Sequence, residues 1–219
     1  MNTKAIAVAA LFSMPLVAGA GPTSALIVVA TGDAPRVAAS LRQRADYLAA
    51  PISLRSDRSD PAERFVALGN AKAALMAEVA KQKGWLVHEG GLSLSGRSGG
   101  KFSSFYTPQS RSDLTILVPL GEGTDAFQTA AAVIKFVGQQ SLPRVEINVG
   151  NIELAVREPQ QYRPQLLKLI AEEAARTRDG IAAGAQTKLE GLESPVLVRQ
   201  VNTNEVELFM DYKLSVEKR

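Results

Sequence analysis

Three short patterns in this chain bring reactive or phosphate-binding residue types to spacings that known chemistries use. Gly96-Arg97-Ser98-Gly99-Gly100 fits G-x-S-x-G, in which a serine exposed on a strand-to-helix elbow attacks a carbonyl after a histidine takes its proton. No helical pattern follows Ser98, and the only histidine, His88, lies upstream. Chain order alone does not exclude a triad, but with both contexts missing the segment reads as a loop. Gly121-Glu122-Gly123-Thr124-Asp125-Ala126 fits G-x-G-x-x-A between a strand pattern and a helix pattern, the setting of a dinucleotide site. There, Glu122 and Asp125 would set two carboxylates beside a pyrophosphate, whereas the same acids stabilise an empty helix N-terminus. Glu146, at ribose-contact distance in sequence, falls inside a predicted strand. Gly100-Lys101 fails as a phosphate loop, because Ser95 stands at the first glycine position and Phe102 follows the lysine.

The remaining polar candidates read as structural. A lone imidazole such as His88 is more often a hydrogen-bonded surface group than a ligand. Glu205 and Glu207 share one strand face with Asp211, Lys213 and Glu217, which reads as a solvated surface. Glu172 and Glu173 fall on the wet side of a helix. No catalytic, cofactor-binding or metal-binding residue is therefore assigned. The aromatic residues Phe102, Phe105 and Tyr106 are different. They stand in a Gly/Ser-rich stretch, residues 96–111, with little local structure to pack against, so they fold back on their own core or meet a partner. They are the candidate contact residues.

Composition narrows the classes further. The chain has 219 residues, 46% of them hydrophobic, with one histidine and no cysteine. Disulfides, thiolate metal sites and catalytic thiols are thereby excluded. Residues 1–20 open with Lys4, run uncharged from Ala5 to Val17 through Pro15, and end in Ala18-Gly19-Ala20. That is the pattern of a signal peptide cut near Ala20, and the run is shorter than the roughly 20 residues of a membrane span. Cleavage removes one of 25 cations and none of 22 anions, so the remainder is close to neutral. Such a balance gives no reason to expect nucleic acid as a partner. The expectation is an exported chain with no integral span after cleavage, built as one domain over residues 21–219.

The elements that must position these residues follow from periodicity. A short strand is predicted over residues 25–31 and a second over 45–57, interrupted or bulged at Pro51. Asp60-Pro61-Ala62-Glu63 combines an N-cap acid, proline at the first helical position and a capping-box glutamate. The helix it opens carries a stripe of Phe65, Gly69, Ala73, Met76 and Ala80, and Gly84 stops it. A strand over residues 85–95 contains a Gly90-Gly91 break, and Leu114, Ile116, Val118 and Leu120 restart alternation before a helix striped by Phe127, Ala131, Ile134 and Val137. Val145, Ile147 and Val149 then change parity to Ile152, Leu154 and Val156, which predicts a bulge or bend at Gly150-Asn151. A third helix spans about residues 160–185, with Leu166, Leu167, Ile170, Ala174, Ile181 and Ala182 as its stripe. The chain closes with an antiparallel hairpin turning at Asn202-Thr203-Asn204, one face wet.

Arg44-Ala45-Asp46 and Arg111-Ser112-Asp113 each precede a strand, a helix and a further strand, as a degenerate repeat would. Half-wet strands alternating with three helices predict an α+β fold, the helices packed on one face of a mixed or mainly antiparallel sheet.

Together, IVVATGD, ADYLAAPISLRSD leading into DPAERFVALGNAKAALMAEVAKQKGW, RPQLLKLIAEEAARTRDGIAAGA and the closing VELFMDYKLSVE resemble SIMPL-domain proteins, which include bacterial periplasmic immunogenic and oxidative-stress-defence proteins. The G-x-G usual after that family's first strand is Thr31-Gly32-Asp33 here. The resemblance implies an α+β domain, a place in the periplasm or cell envelope, a link to envelope or oxidative stress, and ring-like oligomers in some members. It carries over no catalytic residue. The expectation is a non-enzymatic protein acting by self-association, as a homo-oligomer, or by binding an envelope protein, with no cofactor. The alternatives are an enzyme using a nucleotide at residues 121–126 or Ser98 as nucleophile, and a small-molecule carrier with a pocket between helices and sheet.

Overall fold

The structure, a computed structural model, describes residues 39–96, 109–181 and 185–217, and the backbone of 27–29. The leader, Ser98, Lys101, the aromatic residues Phe102, Phe105 and Tyr106, and Ala182 lie outside the described residues. In chain order the elements are β1 (Ile27–Val29), β2 (Ser40–Arg44), β3 (Tyr47–Ser56), α1 (Pro61–Ala80), β4 (Leu86–Ser93), β5 (Ser110–Pro119), α2 (Ala126–Gly138), β6 (Glu146–Val149) and β7 (Glu153–Arg157). There follow α3 (Arg163–Ile181), β8 (Gln186–Glu190), β9 (Val196–Gln200), β10 (Glu205–Met210) and β11 (Lys213–Glu217).

The large sheet has the order β1-β7-β3-β5-β4, with β6 also on β3, and every pairing is antiparallel. Since β3 and β4 both run against β5, they are parallel to each other, and α1 joins them across the strand between. In the same way α2 joins β5 to β6 across β3. The repeated strand-helix-strand plan is thus two interleaved split β-α-β units. Smaller antiparallel sheets, β2-β10-β9 and β11-β8, complete an α+β fold.

Asp60 caps α1 as expected: its Oδ1 accepts from the Glu63 N–H at 2.9 Å, with Pro61 in the first turn. The buried stripe, however, sits one residue earlier than predicted. Arg64, Leu68, Leu75 and Val79 face inward, whereas Gly69, Ala73 and Ala80 are exposed. One residue is about 100° of helix rotation. Leu68, Leu75 and Val79 each contribute about 1.5–3 kcal/mol by burial, more than Gly69, Ala73 and Ala80 can. The same correction holds in α2. Val137 is buried as expected, but its companions are Ala126 and Val133, while Phe127 and Ile134, expected in the core, are 72% and 55% exposed. An edge-on contact between Trp85 and Phe136, ring centroids 5.2 Å apart, supports this orientation.

Pro51 does not interrupt β3, which runs unbroken past it with Pro51 opposite Thr115. The break falls on the neighbouring strand instead. Pro51 has no N–H to offer, β6 and β7 part there, and the Gly150 N–H donates to the Pro51 carbonyl at 2.7 Å. This is the irregularity that the parity change foretold. The Gly90-Gly91 break is also present, as a register shift between Glu89 and Leu92.

The C-terminal third departs most from expectation. The predicted third helix begins later, at Arg163 after a 3-10 turn at Pro159–Tyr162, and is described as far as Ile181, which is 56% exposed. The closing alternation divides into β10, paired with β9 and β2, and β11, paired with β8. Neither β2 nor β8 is evident from the sequence. Nor does β10 have a wet face beyond Glu205, since residues 206–210 are buried on both sides.

One main core holds the fold. Leu48, Ala50, Ile52 and Leu54 of β3 and Leu114, Ile116 and Val118 of β5 meet Leu68 and Leu75 of α1, Val133 of α2, and Leu166 and Ile170 of α3. On the opposite face of the sheet, among the described residues, a small apolar cluster of Ala49, Leu117 and Ala155 is buried. Among the described residues no helix is long and apolar enough to cross a membrane.

Candidate functional site

The large sheet ends at β4, whose outer edge has no strand partner among the described residues. Such an edge presents a row of unpaired N–H and C=O groups that another chain can extend. β4 carries neither proline nor lysine to blunt it, and Leu86, Leu92 and the following Leu94 are 47%, 63% and 46% exposed. The bulge at Gly90 and Gly91 limits the regular run to residues 86–89. His88 stands exposed in that run, opposite Thr115 of β5. Lys72 of α1 forms an ion pair with Glu89 at the surface.

The segment expected over residues 96–111 begins at the far end of this edge, but its last two residues, Ser110 and Arg111, already pair within the sheet as the start of β5. Its roots are held by Arg64, a fully buried arginine in the first turns of α1. The guanidinium donates to the carbonyls of Arg58, Ser59 and Ser95, the last at 2.7 Å. The Ser95 N–H in turn donates to Ser110 Oγ at 3.1 Å, closing the two roots together. Sequence periodicity gave no sign of Arg64's burial, because a charged residue at that position is ordinarily assigned to the wet face.

The glycine-rich turn before α2 is a tight structural turn. Thr124 N–H donates to the Gly121 carbonyl at 3.1 Å, Gly123 has φ +76°, and Arg44 reaches the Thr124 carbonyl. The Asp125 carboxylate accepts from the Phe127 N–H at 2.8 Å, so the anion at this helix N-terminus is the chain's own. Glu146 is exposed on β6, in register with Arg55.

Glu205 and Glu207 part company. Glu205 is exposed and accepts from Asn202 in the turn. Glu207, expected on a solvated face, is buried. Ser40 Oγ donates to it at 2.6 Å, Arg199 is ion-paired with it, and Arg42 lies opposite on β2. Arg199 also lies over the Phe209 ring, 5.5 Å from its centroid. Burial works against ionisation of Glu207, but the hydrogen bonds from Ser40 and Arg199 and the charges of Arg199 and Arg42 outweigh it, holding the carboxyl below its ordinary pKa. The signal missed in the sequence was arginine at alternate positions, Arg42 and Arg44, upstream of Glu205 and Glu207. They become neighbours only through β2.

No group of three or more histidine, aspartate or glutamate residues among the described residues is placed to hold a metal ion. No protein-family model matches the chain, and no curated protein matches it either.

Proposed function

We propose that this protein works by joining surfaces, foremost by self-association along β4, as a non-enzymatic component of the periplasm or cell envelope. The observation that carries the reading is the open edge of the large sheet, flanked by Leu86, Leu92 and Leu94. Pairing a second strand there satisfies backbone groups and buries leucines in one step. Ser95 and Ser110, which flank this stretch in sequence and are tied to Arg64 and to each other, lie at the end of the same edge. The leader-like residues 1–20 support export. The resemblance to SIMPL-domain proteins supports the envelope, a role under envelope or oxidative stress, and assembly.

The test is mass by size-exclusion chromatography with multi-angle light scattering. The double variant L86K/L92K changes two exposed side chains, which the fold tolerates within about 0.5 kcal/mol. It should shift the assembly to smaller species, as should deletion of residues 97–109. A wild-type chain that stays monomeric at every concentration sinks the reading.

A further inference from the structure

The face of the large sheet turned away from α1 and α2 carries a hollow of about 360 Å³, within the range of small-ligand sites. Its position follows from register. Successive strand residues point to opposite faces, and Ile52 and Leu54 belong to the main core, so Ser53 and Arg55 face the other way. Ser53 stands between Asn148 of β6 and Asp113 of β5, and one row along Arg55 stands beside Arg111. Two backbone irregularities bound the space. At Gly90, in the β4 bulge, a Cβ would lie 3.0 Å from the Asp113 carbonyl oxygen; at Gly150 the chain closes onto Pro51. Neither residue puts a side chain into the hollow, and bulges are enriched beside functional sites.

The charges do not cancel. Arg111 Nε donates to Asp113 Oδ1 at 2.6 Å, and that pair neutralises itself. Arg55 is half-buried and has no hydrogen bond or ion pair among the described residues. Glu146, its neighbour on β6, is exposed and does not line the hollow. Ser53 Oγ is buried without a hydrogen-bond partner, an unfavourable state for a hydroxyl. The lining of the hollow therefore carries one guanidinium in excess, Arg55, which also borders the neighbouring cleft with Asp57 and Glu146, among the neutral hydrogen-bonding groups Ser53, Thr115 and Asn148. That combination suits a planar carboxylate, which arginine binds with two parallel hydrogen bonds.

We propose that this hollow binds a small organic carboxylate, with Arg55 taking the charge and Ser53 and Asn148 orienting the group. The site meets β4 only at Gly90, beyond the regular run of residues 86–89, and the proposal stands whether or not the chain self-associates. It is tested by following amide signals of the isotopically labelled protein by NMR during titration with succinate, with sodium phosphate and sodium chloride at matched ionic strength as the other arms. Succinate should give saturable shifts at Ser53, Thr115 and Asn148, and chloride should not. Arg55→Gln should weaken binding by roughly tenfold or more, while Arg144→Gln, in the neighbouring cleft, leaves it unchanged. Should Arg55→Gln lose its folded spectrum, Asn148→Ala supplies the same comparison. Absence of saturation, an equal response to chloride, tighter binding of phosphate than succinate, or full affinity in both Arg55→Gln and Asn148→Ala would overturn the proposal.

Discussion

Removing the carboxylate of Glu207 separates a buried ion pair from a decorated surface. The side chains of Glu207 and Arg199 are 9% and 11% exposed, and Ser40 gives the carboxylate a further hydrogen bond at 2.6 Å. Glu207→Ala leaves Arg199 shielded from water opposite an empty position and strips Ser40 of its acceptor. Breaking a buried pair from one side costs about 3–5 kcal/mol; with both groups close to the surface, about 3 kcal/mol is expected. For a domain of this size that lowers Tm by roughly 6–12 °C. Urea denaturation should show a reduced midpoint with an unchanged slope. The pH dependence carries a sign of its own. Because the folded carboxyl titrates below its ordinary value, Glu207 contributes stability that is fully present above the unfolded pKa of about 4.3 and is lost as pH falls through the lower folded value. The gap between wild type and Glu207→Gln should therefore be wide at pH 7 and close in acid. A Glu207→Ala variant within about 0.5 kcal/mol of wild type, as for an ordinary surface residue, would refute the argument and restore the solvated-face reading.

Three further outcomes test the helices. Asp60→Ala removes the acceptor of the Glu63 N–H and should cost about 1 kcal/mol in urea denaturation, with Asp60→Asn close to wild type. The rotation of α2 is tested by Phe127→Ser, which should stay within about 0.5 kcal/mol because the ring is 72% exposed. Were Phe127 part of the core as its spacing suggests, the loss would be about 3–5 kcal/mol. In α1, Leu75→Ala should cost about 2–5 kcal/mol, since Leu75 is fully buried.

What the sequence determined by itself is local, because the physics behind it is local. Asp60, Pro61 and Glu63 start α1 through hydrogen bonds and dihedral angles within four residues, and Asp125 does the same for α2. Gly90, Gly91 and Gly150 mark their irregularities because a side-chain parity of two cannot shift without one. The α+β class and the doubled strand-helix-strand plan follow from the same periodicities. Tertiary structure decided what depends on partners distant in the chain. Both early helices carry two adjacent apolar stripes one residue apart, and only the bulk of Leu68, Leu75 and Val133 meeting the sheet chose between them. Polar β2 is a strand because β10 needed a neighbour, and that pairing turned Glu207 from a surface acid into a buried ion. Arg55 and Ser53 likewise met Asn148 only when β6 docked on β3. A carboxylate's hydration or burial is set by what lies across the sheet from it, 167 residues away in the case of Ser40 and Glu207, and no window of sequence contains that distance.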